Sequence, residues 1–197
     1  MPLPPPAPRK PMHTRAIALE GFLREDGLWD IEARLVDTKP FSQPLYERGE
    51  LPPGTPIHDI SLRVTVDDGL VIREICGVTD SKPLDECSQA LPPLENLVGT
   101  TLGPGLRQAI ERAVGGTRGC AHMREMLVNV ATAAYQCVPH GQQYMRRLAG
   151  IPEAPVNRPP FHVGRCIAWD VDGPVVARVY PQFAGWAPLR RVDKRSA

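Results

Sequence analysis

At 197 residues, with 42% hydrophobic and 23% charged residues and a net charge of +1, the chain fits one globular domain and indicates neither a disordered chain nor a membrane protein. Mixed charge leaves no basic stripe for nucleic acid, and no apolar run approaches the roughly 20 residues that span a bilayer, so neither is an expected partner. Five cysteines without a paired Cys-x-x-Cys fit reduced thiols in the cytoplasm better than a disulfide framework.

The start, Met1-Pro2-Leu3-Pro4-Pro5-Pro6, lacks the apolar stretch of a secretory signal, and residues 1–12 read as an extended proline-rich arm. Residues 14–22 and 28–36 form the first expected hairpin, turned at Glu25-Asp26-Gly27. In its second strand Trp29, Ile31, Ala33 and Leu35 alternate with Asp30, Glu32 and Arg34, the pattern of a sheet with one solvated face. A Pro- and Gly-rich loop over 39–56 leads to a second hairpin, 57–66 and 70–78, closed at Asp67-Asp68-Gly69. There His58 shares a face with Ile60, Leu62, Val64 and Val66, whereas Asp59 falls on the opposite face with Ser61, Arg63 and Thr65.

Beyond Asp80 the period changes to that of helices. Pro92-Pro93 fit only a first turn, so a helix begins near Pro92 and leaves Cys87 in the turn before it. A short helix covers 105–114 and stops at Gly115-Gly116. The longest runs from Cys120 to about Val138, with Met123, Leu127, Val130, Ala134 and Val138 as its buried stripe. After Pro152, residues 166–169 and 175–180 around Asp172-Gly173 read as a third hairpin. The Arg146-Arg147 and Arg190-Arg191 pairs read as solvated surface. Strands first and helices afterwards predict an α+β protein, an antiparallel sheet of hairpins with helices packed on one face. The whole chain is one domain in this reading: arm 1–12, hairpins plus helices 13–150, and a C-terminal hairpin extension 151–197.

Chemistry concentrates where the longest helix starts, at Gly119-Cys120-Ala121-His122. A thiol at a helix N-terminus, with Arg124 one turn on, is placed to favour its thiolate. On a regular helix His122 stands about 200° around the axis from Cys120. Both reach one metal only if Cys120 occupies the cap or first turn. Cys87 adjoins Asp85-Glu86, whose charges oppose ionisation unless a cation is present. Cys76 and Cys137 read as packing residues, and Cys166 stays open between packing and function. No Ser-His-Asp order, phosphate-binding glycine loop or His-Glu-x-x-His element occurs, which removes the common hydrolase and nucleotide classes.

The motifs His13-Thr14-Arg15, Arg24-Glu25-Asp26-Gly27-Leu28-Trp29-Asp30-Ile31-Glu32, Val36-Asp37-Thr38-Lys39, Pro56-Ile57-His58-Asp59 and Gly119-Cys120-Ala121-His122, on to Cys166, resemble the bacterial family called domain of unknown function 2889. That resemblance implies no activity. Residues 56–138 are also similar to the IscU/SufU-type iron-sulfur scaffold proteins: a strand Asp, a second strand, a cysteine, Leu97-Val98-Gly99, a short helix and a cysteine on a long helix. By that likeness Asp59, Cys87 and Cys120 match three of the ligands that hold zinc or a nascent cluster, and Ile57 stands where the first cysteine belongs. It implies an IscU-like core with a hairpin added at each end. Strand phase makes His58 an alternative to Asp59 as the strand's ligand.

The leading expectation is thus a small metal-binding protein whose site draws on His58, Asp59, Cys87, Cys120 and His122, holding a divalent zinc or iron ion and acting on a small organic substrate. Metal-free catalysis by Cys120, with His122 or His58 as base, is the second expectation. A third is a non-catalytic interaction or scaffold module with a protein partner. Homo-oligomerisation stays open.

Overall fold

The computed structural model describes residues 3–152 and 156–186; Met1, Pro2 and the Arg190-Arg191 pair lie outside them. The chain divides into two compact units, one ending at Ala149 and the other beginning at Gly150.

In the first unit, strands β1 (Thr14–Leu23) and β2 (Trp29–Thr38) form the first hairpin, with Thr14 opposite Thr38 and Leu23 opposite Trp29. The segment read as a loop carries a small separate ladder, β3 (Gln43–Leu45) against β4 (Gly49–Leu51). Strands β5 (His58–Val66) and β6 (Ile72–Ser81) follow, and the main antiparallel sheet has the order β1-β2-β5-β6. The Asp67-Asp68-Gly69 turn is tied by the Asp67 side chain, whose Oδ1 accepts the Gly69 and Val71 amides at 2.9 Å each. β6 starts later than its apolar pattern suggests, because Val71 bridges Thr101.

One face of the sheet is the core. Trp29, Ile31, Ala33 and Leu35 from β2 and Ile60, Leu62, Val64 and Val66 from β5 are buried there, as their alternation requires. Two 3-10 segments, Asp85–Ala90 and Pro92–Leu97, then helices α1 (Leu106–Val114) and α2 (Ala121–Leu148), cover that face. The proline pair opens the second 3-10 segment, where a missing N–H costs nothing. The whole stripe expected of α2 is buried, together with Met126 and Ala131. The molecule is thus the α+β arrangement anticipated, with a solvated second face carrying Asp30, Glu32, Arg34, Arg63 and the exposed Cys76. Cys76 does not pack in the core, because its strand position alternates outward.

α2 does not stop before Pro139. An internal proline removes one backbone hydrogen bond and costs about 3 kcal/mol in an isolated helix. Tertiary packing offsets it: Val138 is fully buried, and Gly141 lies so close to Trp29 that an added Cβ would sit 2.4 Å from the indole ring. Trp29 is itself anchored by its Nε1–H donating to Asp68 Oδ1 at 2.9 Å.

The second unit corrects the expected C-terminal hairpin. Residues 166–180 form a 3-10 turn, Ile167–Trp169, and a short helix, α3 (Pro174–Val179), followed by a second turn, Pro181–Phe183. Pro174 occupies the first helical turn after Gly173, and Val176 turns inward onto Val163 and Phe183. A short valine-rich run suits either period, and the Gly-Pro pair that opens it decides for helix.

Candidate metal centre

The site begins where the apolar row of β2 ends. One step beyond Leu35 on the same face lies Asp37, 2% exposed, and the ladder sets Arg15 opposite it on β1 and His58 opposite it on β5. Three neighbouring strands thus present Arg15, Asp37 and His58 side by side on the covered face. Arg15 forks onto the carboxylate, Nε donating to Oδ1 at 2.8 Å and Nη2 to Oδ2 at 2.9 Å, while Nη1 reaches Glu125 Oε2 at 3.0 Å. His58 Nδ1 donates to Asp37 Oδ2 at 3.0 Å, and His13 Nε2 stands 3.2 Å from Oδ1.

The helix supplies the next group. Gly119 presses against Val114, where an added Cβ would lie 2.5 Å from the carbonyl oxygen, and this close approach sets the start of α2. Cys120 is the N-cap, in extended conformation, which is the condition for it and His122 to face one place. The His122 ring packs against His58, tilted by 45° with ring centroids 4.2 Å apart; its Nε2 lies 3.7 Å from Asp37 Oδ2, and its Nδ1 lies 3.5 Å from Cys120 Sγ.

The protonation states suit metal ligation. Burial pushes the Asp37 carboxyl up, but the hydrogen bonds and charge of Arg15, with His58 and His13 adding, outweigh it and hold the group below the ordinary carboxylate value. Burial lowers His58, more than the neighbouring Asp37 raises it. It lowers His122 as well, aided by repulsion from His58 and Arg15. At neutral pH the cluster therefore offers one charged carboxylate and two neutral imidazoles, the protonation states that ligate metals. Asp37, His58 and His122 each present a ligand atom, all within 4.8 Å of one another, and among the described residues they form a group able to hold a metal ion.

The residues singled out from sequence divide around this group. His58 and His122 belong to it. Cys120 touches it through His122. Cys87 shares with Cys120 an open cleft of about 430 Å³, also lined by Glu86, Thr117 and Arg118. Asp59 is on the opposite face of the sheet, where Arg34 Nε and Nη2 donate to its two oxygens at 2.8 and 2.7 Å. Neither Asp59 nor a cysteine is in the Asp37 group. Asp37 itself was not among the candidates from sequence, although two signals pointed to it: it continues the Trp29–Leu35 alternation by one step, and it lies in the Val36-Asp37-Thr38-Lys39 motif. All five cysteines are free. Cys137 packs half-buried beside Gly21, and burial pushes its thiol up; Cys166 is exposed. No helix among the described residues is long and apolar enough to cross a membrane.

Fold and site together define an α+β protein with an Asp/His/His cluster at the meeting of a sheet and a helix N-terminus. A family model described as "Protein of unknown function (DUF2889)" matches residues 13–136, and the chain belongs to that family. The match starts at His13 and takes in every residue of the cluster through Glu125. No curated protein and no solved structure matches the chain.

Proposed function

We propose that the protein binds one divalent transition metal, zinc or iron, on Asp37, His58 and His122, and uses its open positions to act on a small organic substrate. The observation that carries this reading is the convergence of two neutral imidazoles and one ionised carboxylate within 4.8 Å. Two histidines with one carboxylate are a ligand set of catalytic zinc and of non-haem iron, which leaves room for water or substrate. His58 and His122 keep 19% and 22% side-chain exposure, so an exchangeable position can open to solvent. When bound, the metal polarises a substrate carbonyl or activates water. His122 would ligate through Nε2, leaving Nδ1 to Cys120, so the thiol orients a ligand rather than serving as one. The site keeps one feature of the iron-sulfur scaffold likeness, a strand residue meeting the start of a long helix, but draws on imidazole and carboxylate in place of thiolates. Five free cysteines support a cytoplasmic location.

Metal analysis after anaerobic purification tests the reading. About one equivalent per chain is expected in the wild type and none in a His58→Gln/His122→Gln double variant. A wild type that neither retains nor takes up zinc or iron contradicts it.

A second reading rests on the 3.5 Å contact between Cys120 Sγ and His122 Nδ1: metal-free nucleophilic catalysis, with His122 taking the thiol proton and Asp37 facing its other nitrogen. It predicts fast alkylation of Cys120 in metal-free protein, slowed severalfold by His122→Gln. A rate equal to that of exposed Cys166 excludes it.

A further inference from the structure

We infer that the substrate of this centre is a carboxylate, bound in a bridge between the metal and the Arg15 guanidinium. The inference rests on the metal reading above and adds the chemical class of what the centre takes.

Charge is the first argument. An imidazole that ligates a metal is neutral, so the centre with a divalent ion on His58 and His122 carries the two charges of the metal and one of Arg15 against one from Asp37. Glu125 offsets one more only from the outside, where its side chain is 59% exposed. A partly buried centre left positive recruits an anion.

Geometry is the second. Asp37 is engaged on both oxygens: Oδ1 accepts from Arg15 Nε, with His13 Nε2 3.2 Å away, and Oδ2 accepts from Arg15 Nη2 and His58. A metal that replaces the His58 proton on Oδ2 shares that oxygen with Arg15. A carboxylate-to-metal bond is about 2.1 Å. Because Nη2 is 2.9 Å from the same oxygen, the metal lies no more than about 5 Å from Nη2. That span suits a carboxylate with one oxygen on the metal and the other accepting from a terminal guanidinium N–H, since Nε and Nη2 already fork onto Asp37 and only the remaining Nη2 hydrogen and those of Nη1 face outward. Arg15 is held for this by its own strand: its backbone pairs with Asp37, and its side chain keeps 32% exposure. Its Nη1 meets a carboxylate already, that of Glu125, which a substrate would displace or adjoin.

Cobalt(II) in place of the native metal makes the bridge visible, with acetate as the probe and acetamide as its uncharged control. In the wild type, acetate is expected to shift the cobalt visible bands saturably and acetamide to leave them unchanged. Arg15→Gln should weaken acetate by about tenfold or more, and Arg15→Lys, which keeps the charge but cannot hold Asp37 and the anion at once, by a few-fold. Cobalt stoichiometry measured in each variant separates loss of the metal from loss of the anion. Cobalt that binds normally while acetate binds equally well to wild type, Arg15→Gln and Arg15→Lys overturns the bridge and leaves the metal reading intact. A wild type without cobalt bands overturns both.

Discussion

Asp37 and Asp59 are both strand carboxylates forked by an arginine, yet they stand in different chemistry. Asp37 ends the apolar row of the covered face, is 2% exposed in its side chain, and meets Arg15, His13, His58 and His122. Asp59, next to His58 in sequence, falls on the open face, and Arg34 is its partner there; the Arg34 side chain is 60% exposed. One step along a strand separates a carboxylate that organises imidazoles from one whose partner is a single, largely exposed arginine. The arginine fork is common to both. The difference lies in which face of the sheet the helix covers.

The sharpest way to break that contrast is to neutralise each carboxylate in turn. Asp37→Asn should lower metal affinity by more than the 10- to 100-fold usual for a ligand's supporting partner, whereas Asp59→Asn should leave metal content unchanged, both read by competition against a chromogenic chelator. Equal losses would erase the distinction. Next in size, Cys120→Ala is expected to weaken metal by about 10- to 100-fold through the freed His122 ring, with Cys87→Ala producing no change. Gly141→Ala drives a methyl into the Trp29 ring. A stability loss of about 1–3 kcal/mol in urea denaturation is the expected outcome.

Acid gives a gentler test. His58 and His122 have folded-state values lowered from the ordinary histidine value, so the unfolded chain takes up protons first as pH falls. Their contribution to stability is full above about pH 6.5 and declines below it, through the lowered folded values. Metal-free protein should therefore lose denaturation midpoint below that pH, and His58→Gln/His122→Gln should flatten the slope. The last test belongs to the other face: Arg34→Gln takes the fork from the buried Asp59 carboxylate and should lower the midpoint, with metal content unaltered.

Much of this was legible in residues. The alternation in β2 and β5 identified the covered face, put His58 on it and turned Asp59 away; the helical stripe of α2 was plain from Met123 to Val138. The start of α2 at Cys120 followed from Gly119 and the change of period. What escaped depends on contacts distant in sequence. Asp37 becomes a site residue because the ladder sets Arg15 and His58 on either side of it, which one strand's pattern does not state. Continuation of α2 past Pro139 depends on Gly141 fitting against Trp29, a partner from the first hairpin. In the second unit, the run from Val175 to Tyr180 is too short for its period to decide between strand and helix, and Gly173-Pro174 settled it locally.

X-ray absorption at the metal edge of the zinc-loaded protein tests the central claim most directly, since it reads the ligand atoms themselves. The account predicts a shell of nitrogen and oxygen near about 2.0–2.2 Å with imidazole scattering and no sulfur, in wild type and in Cys87→Ala alike. A sulfur shell at about 2.3 Å would contradict it, and would move the site from the Asp37 cluster to the cysteines.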